Sequence, residues 1–404
     1  MIGIIGAGAS GMAAAIAAAR LGADVTVLER GPRVGRKLLV TGNGRCNITN
    51  RFASADKYSS ASPNTLKKML SNTTVEEIRQ FFDSLGLPLR EEEEGRFYPR
   101  CNLAGAVVDC LRLSMAELGV ELRTDCAVAS VKSKKRGFEV SLISGESLYF
   151  DNIIVAAGGQ AAEKNGGTRD GVNILRALGH QIQPIGPALS PLCTETEPIR
   201  SLRGIRAACA VSALSSGTLL RRELGEVLFA EFGISGIAAM QLSTAISRAK
   251  GPVTLCLDFF PDLDEAELRD CLLWRRDAFP RRPLPDWLAG LMHRRIAEVL
   301  YKRCGFPLSK MSGSLKDAEI SALAASMKCF SLPCTGVKPL SFAQATAGGA
   351  NLDEFDPATM ESRLVSGLYA AGEVLDAVGD CGGFNLHWAW VTGITAGRSC
   401  ACCE

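Results

Sequence analysis

The chain has 404 residues, of which 47% are apolar and 22% charged, and its formal net charge is +2. The length predicts two or three domains, and the near-neutral charge gives no reason to expect a nucleic-acid partner. No apolar run approaches the ~18 residues that span a membrane. We therefore expect a cytoplasmic protein without a membrane partner, in which the 15 cysteines stay reduced and no metal site forms.

The N-terminus carries a strand, a glycine turn, a helix and a second strand. The apolar residues 2–5 lead into the turn, residues 12–21 are rich in Ala, and residues 25–28 end at an acid. The first glycine permits a tight turn, the second lets a pyrophosphate approach, and the third lets the helix pack on the strand. This pattern predicts an adenine-dinucleotide site made by Gly6, Gly8, Ala9, Ser10, Gly11, Glu29 and Arg30. The alternative is a glycine-rich turn without a ligand.

Further elements follow a β/α order before the pattern changes. Helices are predicted at 64–87, 103–118 and 170–179, and strands at 120–123, 127–131, 137–142 and 153–157. Residues 186–260 show short strands without helical crossovers, and residues 262–330 are predicted to form helices broken by prolines. The α/β pattern then returns. We predict a nucleotide-binding domain in two parts, 1–185 and 337–404, with a β-rich domain (186–260) and a helical domain (261–336) inserted between them.

Two later motifs point to FAD rather than NAD alone. The apolar strand at 153–157 ends in Ala157-Gly158, and the strand at 367–371 ends in Gly372-Glu373, followed by Gly382, Gly383, Phe384 and Asn385. A helix that begins there can direct its N-terminus at the flavin pyrimidine, where the reduced ring carries negative charge. The predicted fold class is therefore α/β, a Rossmann-like two-dinucleotide-binding flavoprotein fold.

The whole chain resembles the aminoacetone oxidase family of FAD-binding proteins, which also holds a flavoprotein implicated in bacterial bile-acid 7-dehydroxylation. The matching strings are TGNGRCN at 41–47, GRFYP at 95–99, PALSPL at 187–192, GISG at 233–236, GEVLD at 372–376 and GFNL at 383–386. The resemblance implies an FAD domain assembled from both ends of the chain. It also implies that the β-rich and helical insertions cover the flavin.

The resemblance also implies roles for individual residues. The residues implied along the phosphates and the ribityl chain are Lys37, Thr41, Gly42, Cys46 and Asn47. Val128 is implied at the adenine, and Glu373 and Asp376 near the ribityl chain or the pyrophosphate. The residues implied at the flavin ring are Gly383, Phe384, Asn385 and Leu386. Each has a structural alternative: a glycine-rich loop, an ordinary strand residue at Val128, or surface caps at the two acids. Cys46 has no resolving partner in the sequence, which favours packing beside the flavin over redox chemistry.

The sequence holds three histidines, and His387 follows the predicted flavin turn directly. It is our candidate catalytic acid or base, with a structural histidine as the alternative. No second G-x-G-x-x-G unit follows a strand, so electrons are expected to come either from a substrate or from NAD(P)H that docks directly in the cleft as electron partner.

Two functions remain open for a small-molecule substrate. The first is an NAD(P)H-linked oxidoreductase that transfers hydride between flavin N5 and an unsaturated ketone or steroid-like compound. The second is an amine oxidase of the aminoacetone type that uses oxygen. A third possibility, an RNA-modifying protein, would use the arginines between 275 and 303. Because aromatics do not interleave with them in sequence, we predict a solvated face and no nucleic-acid partner.

Overall fold

The computed structural model describes residues 1–402. Its contacts divide the chain into two compact units: the first holds Met1–Ala188 and the chain from Leu340 onward, and the second holds Leu189–Pro339. The last two residues of the predicted segment 337–404 lie outside the described residues.

Up to residue 188 the chain alternates short strands and helices. In chain order these are β1 (Ile2–Ile5), α1 (Ala9–Ala19), β2 (Val25–Leu28), β3 (Thr49–Asn50), β4 (Tyr58–Ser59), α2 (Pro63–Leu70), α3 (Val75–Asp83), β5 (Leu89–Glu91), β6 (Arg96–Pro99), α4 (Ala104–Glu117), β7 (Glu121–Arg123), β8 (Val128–Ser133), β9 (Phe138–Leu142), β10 (Ser147–Phe150), β11 (Asn152–Val155), α5 (Asp170–Ala177) and β12 (Ile182–Ala188).

The remaining elements belong to the second unit and then to the return of the first. The second unit contains β13 (Leu192–Thr194), β14 (Arg206–Ser215), β15 (Thr218–Ala230), β16 (Gly233–Ser235), α6 (Ile237–Gln241), α7 (Ser243–Ser247), β17 (Val253–Asp258), α8 (Glu265–Ala278), α9 (Leu284–Trp287), α10 (Arg294–Arg303), α11 (Asp317–Lys328) and β18 (Phe330–Val337). The return contains β19 (Ala345–Ala350), β20 (Leu368–Ala370), β21 (Val378–Gly379) and α12 (Phe384–Ala401).

The first unit is organised by a five-stranded parallel sheet in the order β20-β11-β1-β2-β7. Strands β1, β2 and β20 are buried along their whole length, which fits apolar runs covered on both faces of a parallel sheet. The edge strand β20 comes from the C-terminal return and pairs with β11. The predicted Rossmann-like fold, with a sheet completed by both ends of the chain, is confirmed.

Helices α1 and α12 pack against each other through glycine. A Cβ on Gly393 would lie 2.4 Å from the carbonyl oxygen of Ser10, and one on Gly397 would lie 2.2 Å from that of Ala14. Such close backbone contact explains why α1 is rich in Ala and why α12 carries a G-x-x-x-G spacing. The first and last helices of the first unit therefore form one tightly packed pair.

The second unit is built on a closed barrel in the order β13-β16-β15-β14-β17-β18. The predicted helical domain 261–336 needs correction at its end, because residues 330–337 form β18, whose hydrogen bonds to β17 and β13 close the barrel. The prediction that all cysteines are free thiols is wrong for Cys256 and Cys329, which form a disulfide. The division of this unit into two domains stays a prediction.

The second unit leaves and rejoins the first at neighbouring points. Strand β12 runs antiparallel to β19, and Ala188 is paired with Ala345. This ladder ties together the two ends of the chain that flank the second unit. Within residues 1–402 no helix is long and apolar enough to cross a membrane.

Candidate functional site

The N-terminal glycine turn has the geometry that a bound pyrophosphate requires. Gly6 has a φ of +105°, and a Cβ on Gly11 would lie 1.9 Å from the carbonyl oxygen of Gly6. Gly8 is the residue before α1, and among the described residues no side chain caps this helix N-terminus. The space that a Cβ on Gly8 would occupy is open. The amides at the start of α1 are thus free to bind an anion.

The acid that ends β2 lies beside this turn. The carboxylate of Glu29 accepts hydrogen bonds from the amides of Ala7 at 3.0 Å and Gly31 at 2.8 Å. These two bonds fix its orientation, and each oxygen keeps a further lone pair for a ribose hydroxyl. Arg30 forms an exposed ion pair with Asp170 at 3.0 Å, so the structure shows it bound at the surface of the first unit.

The C-terminal return meets the same turn. Gly372 has a φ of +79°, and a Cβ there would lie 2.4 Å from Oγ of Ser10. The hydroxyl of Ser10 donates to the carbonyl of Ala371 at 3.3 Å. Two side chains of α12 hold Gly372: Thr392 Oγ1 accepts from its amide at 2.9 Å, and Trp388 Nε1 donates to its carbonyl at 3.0 Å. The N-terminal glycine turn and the Gly372 turn of the C-terminal return are therefore joined directly, through the hydrogen bond between Ser10 and Ala371.

A chain of polar contacts, from Lys37 through Glu373 and Thr346 to Ala161, links four segments of the first unit. Lys37 Nζ contacts Glu373 Oε2 at 2.5 Å, and Glu373 Oε1 accepts from the amide of Thr346 at 2.7 Å. The hydroxyl of Thr346 in turn accepts from the amide of Ala161 at 2.9 Å. Sequence reasoning missed Thr346, because no motif surrounds it and its partners lie far away in the chain.

The loop 41–47 has an unusual backbone. Gly42, Asn43, Gly44 and Cys46 all have positive φ, which explains the two glycines of the TGNGRCN string. Thr41 donates to the carbonyl of Leu38 at 2.6 Å and its own carbonyl accepts from the amide of Cys46. Burial raises the pKa of the Cys46 thiol to about 12. A thiol that stays protonated is a poor nucleophile, which supports packing as its role.

Arg45 of this loop covers a tyrosine. Its guanidinium lies 4.0 Å from the ring centre of Tyr98, and it donates to Glu92 at 2.5 Å and to Asn102. Because these contacts occupy the guanidinium, the structure shows Arg45 fixing the loop.

The helix α12 begins at the second glycine motif. Gly383 precedes it with a φ of +98° and no side-chain cap, which leaves the first amides of an 18-residue helix available to a ligand. Asn385 is used structurally, since its side chain accepts from the amide of Gly379 at 2.9 Å and donates to the carbonyl of Gly379 at 2.8 Å. The carbonyl of Phe384 accepts from the hydroxyl of Tyr58 at 2.8 Å.

His387 is buried one turn into α12. Its Nδ1 and the hydroxyl of Thr49 are joined by a 2.8 Å hydrogen bond. Burial lowers the pKa of His387 to about 4, so the ring is neutral near pH 7. This environment favours the structural alternative, and the catalytic role of His387 stays a prediction.

The other predicted residues lie apart from these contacts. Asp376 is buried and accepts from the amide of Ala61 at 2.8 Å. Ala157 and Gly158 follow β11, and Gly158 has a φ of +73° with open space at the Cβ position. Val128 begins β8 in the three-stranded sheet β10-β9-β8, and Leu386 is half-buried against the core.

The residues present fit a dinucleotide. Two helix N-termini lack side-chain caps, glycines leave open space beside the first, and the buried Oδ1 of Asn47 has no hydrogen-bond partner among the described residues. The residues that would hold FAD are the glycine turn and Glu29 at one end, and Lys37, Thr41, Gly42, Cys46, Asn47, Gly372 and Gly383 at the other. When bound, FAD supplies a centre at N5 that takes up and gives back a hydride.

Comparisons with known proteins agree with this geometry. Residues 1–399 match the family model described as HI0933-like protein Rossmann domain. A 3-dehydro-bile acid delta(4,6)-reductase of Clostridium scindens is 36% identical, over 99% of this chain and 98% of the relative. A ribosomal RNA dihydrouridine synthase of Escherichia coli is 30% identical, over 96% of this chain and 94% of the relative.

Solved structures support the fold. A 3-ketosteroid delta1-dehydrogenase from Sterolibacterium denitrificans matches with a TM-score of 0.52 and 13% identity, over 100% of this chain and 99% of the other. The open conformation of a flavocytochrome c3 fumarate reductase matches with a TM-score of 0.51 and 16% identity, over 99% and 78%. The chain is an FAD-dependent oxidoreductase and belongs to the HI0933-like protein Rossmann domain family.

Proposed function

We propose that this chain is an NAD(P)H-linked reductase of a carbon–carbon double bond conjugated to a carbonyl group in an apolar, steroid-like compound. The observation that carries the proposal is the full-length similarity to the protein named 3-dehydro-bile acid delta(4,6)-reductase. Its name describes double bonds conjugated with a 3-keto group. The carbonyl polarises such a bond, so its far carbon can accept a hydride and its near carbon a proton.

The name of the second relative fits the same chemistry. Dihydrouridine is uridine whose C5–C6 double bond has been reduced, and that bond is conjugated with the C4 carbonyl. Both names therefore imply a substrate in which a carbonyl activates a double bond. The shared chemistry supports an activated double bond as the target in this chain, whatever molecule carries it.

The residues at the start of α12 contribute positioning rather than charge. His387 is neutral near pH 7, and Asn385 and Thr49 are already hydrogen-bonded within the protein. The uncapped amides at the start of α12 carry the positive partial charge of a helix N-terminus. This arrangement favours hydride transfer, which needs a dry and oriented site more than a strong acid.

An anaerobic titration of the purified protein with NADH and NADPH tests the proposal, with flavin absorbance as the readout. We expect bleaching by one of the nucleotides and recovery of the yellow band on addition of a 4-ene-3-ketosteroid or a 4,6-diene. A saturated 3-ketosteroid is the matched control and should not restore the band.

The amine oxidase alternative predicts the opposite pattern. The flavin band would then stay unchanged with both nicotinamides and would bleach with aminoacetone, and admission of air would produce hydrogen peroxide. That result would overturn the reductase proposal and establish the alternative.

A ribosomal RNA substrate is a second candidate that one structural observation favours. Contrary to the expectation of no interleaving, Trp274 and Phe279 lie among the arginines of α8 and the turn after it. Trp274 is 62% exposed and packs edge-to-face on Phe279, and the Arg282 guanidinium lies 3.8 Å from the centre of the Phe279 ring. Rings and guanidinium groups of this kind can stack on unpaired bases.

Filter binding with a ribosomal RNA fragment over a range of salt concentrations tests this candidate. An RNA enzyme should bind at 50 mM salt, lose affinity steeply at 200 mM, and lose it again in an Arg282→Ala variant. An affinity that is absent or independent of salt would leave the steroid-like substrate as the proposal.

A further inference from the structure

Asn47 carries a buried oxygen that the protein does not use. The residue is 8% exposed, and Oδ1 has no hydrogen-bond partner among the described residues. A buried acceptor without a donor has lost its hydrogen bonds to water without replacement, so native proteins rarely leave one without a reason. A bound ligand that donates a hydrogen bond at this point would remove the cost.

Asn47 differs in this respect from its neighbours in and beside β3. Thr49 is hydrogen-bonded to His387, and Asn50 donates to the carbonyl of Gly382 at 2.8 Å and to that of Glu94. Those two polar side chains fix β3 against the start of α12. Among the described residues, Asn47 Oδ1 has no such partner and is available to accept a hydrogen bond from a ligand.

Two glycines border the Asn47 side chain. A Cβ on Gly383 would lie 2.8 Å from Asn47 Oδ1. A Cβ on Gly42 would lie 3.0 Å from the backbone nitrogen of Asn47 and 3.6 Å from its Cβ. Gly383 is also the residue before α12, whose first amides have no side-chain cap. An acceptor and a group of donors therefore lie next to each other at one point in the first unit.

The ligand group that suits this arrangement has a carbonyl beside an N–H on one edge. The resemblance implied a role for Asn47 at the phosphates and the ribityl chain. A phosphate cannot donate a hydrogen bond at neutral pH, and a ribityl hydroxyl could donate to Oδ1 but has no carbonyl beside it for the amides of α12. The flavin pyrimidine has C2=O next to N3–H. We propose that Asn47 Oδ1 accepts the hydrogen bond of flavin N3–H, while the amides at the start of α12 donate to the adjacent carbonyl.

The test measures ligand binding to the apoprotein and involves neither NAD(P)H nor a substrate, so its outcome is independent of the proposed function. The ligands are FAD, FAD methylated at N3, and ADP, each titrated by calorimetry. We expect the natural chain to bind N3-methyl-FAD about tenfold more weakly than FAD, because one hydrogen bond is lost. In Asn47→Ala, FAD should fall to the affinity of N3-methyl-FAD, and ADP should be unaffected.

The matched control is Asn43→Gly in the same loop. Asn43 is exposed and has a φ of +57°, a conformation that glycine adopts freely. This variant should keep the tenfold preference for FAD over N3-methyl-FAD. An equal loss of FAD and ADP in Asn47→Ala would show a phosphate role, and equal binding of the two flavins by the natural chain would show that N3–H has no partner. Either result overturns the proposal.

A second variant covers the case in which Asn47→Ala does not fold. Asn47→Asp keeps the shape and the acceptor but adds a negative charge beside the pyrimidine. We expect it to retain FAD and to lower the midpoint potential of the bound flavin, because the added charge opposes the negative charge of the reduced ring. An unchanged midpoint potential in a yellow Asn47→Asp protein would contradict the assignment.

Discussion

His387 shows how burial changes the reading of a single residue. A histidine next to a flavin motif is an obvious candidate for proton transfer when only the sequence is considered. The structure places it in the core with Thr49 as its hydrogen-bond partner, and its pKa falls to about 4. Protonation of His387 therefore lowers the free energy of unfolding of the protein.

The pH dependence of stability follows from this shift. The unfolded chain binds a proton at His387 near the ordinary pKa of about 6.5, whereas the folded chain binds one only near 4. Between these values the unfolded state holds more protons than the folded state. The contribution of His387 to the free energy of unfolding is therefore largest above about pH 6.5 and decreases as the pH falls to about 4. The decrease amounts to about 3 kcal/mol.

Urea unfolding with excess FAD at pH 7.5 and 4.5 measures this effect. His387→Gln is the matched control, because glutamine can hydrogen-bond Thr49 but does not titrate. His180, whose pKa burial also lowers, is present in both proteins and cancels. Equal losses of stability in the natural chain and in His387→Gln would contradict the prediction.

At the scale of elements, we expect FAD binding to depend on the close packing of α1 and α12. Gly397→Ala would place a methyl group 2.2 Å from the Ala14 carbonyl and force the helices apart. We expect the variant to lose about 1–3 kcal/mol of stability and a large part of its FAD, since both helix N-termini would move. Thermal unfolding and flavin content after gel filtration are the measurements.

Gly105→Ala in the first turn of α4 provides the comparison. No atom lies within 4 Å of the added Cβ, and alanine favours a helix over glycine by up to about 1 kcal/mol. This variant should be at least as stable as the natural chain and keep its FAD. If both alanine variants behaved alike, close packing of α1 and α12 could not be the cause.

The sequence predicted these elements unevenly. Strand β2 has the predicted bounds 25–28 because an apolar run ends there at an acid. The helix expected at the glycine motif 382–385 is α12, which begins at Phe384, but the hydrogen bonds between the Asn385 side chain and the backbone of Gly379 could not be read from the sequence. The bridge through Thr346 and the disulfide between Cys256 and Cys329 could not be predicted, since both depend on contacts between distant segments.

At the scale of the whole molecule, the ladder between β12 and β19 makes the second unit separable. Because Ala188 pairs with Ala345, a short Gly/Ser linker can replace residues 189–339 without stretching the first unit. We expect the shortened chain to bind FAD and to bleach with dithionite. This outcome is expected because the residues that would hold FAD all lie in the first unit.

A deletion that extends through β12 and β19 serves as the control and should lose FAD, because Thr346 and its bridge to Glu373 are removed with β19. A shortened chain that keeps full ketosteroid turnover would show that the first unit binds the substrate alone. A shortened chain that folds but stays colourless would show that FAD binding depends on the second unit.

The contact between Ser10 and Ala371 has a consequence for biosynthesis. The two residues are 361 positions apart, yet they meet at the turn that would receive the pyrophosphate. During translation the N-terminal fingerprint leaves the ribosome long before its partner exists, so it must wait unpaired while the barrel of the second unit is made. We therefore expect FAD to bind late in the biosynthesis of each molecule, so that a yellow colour would mark chains whose synthesis has reached the C-terminal helix.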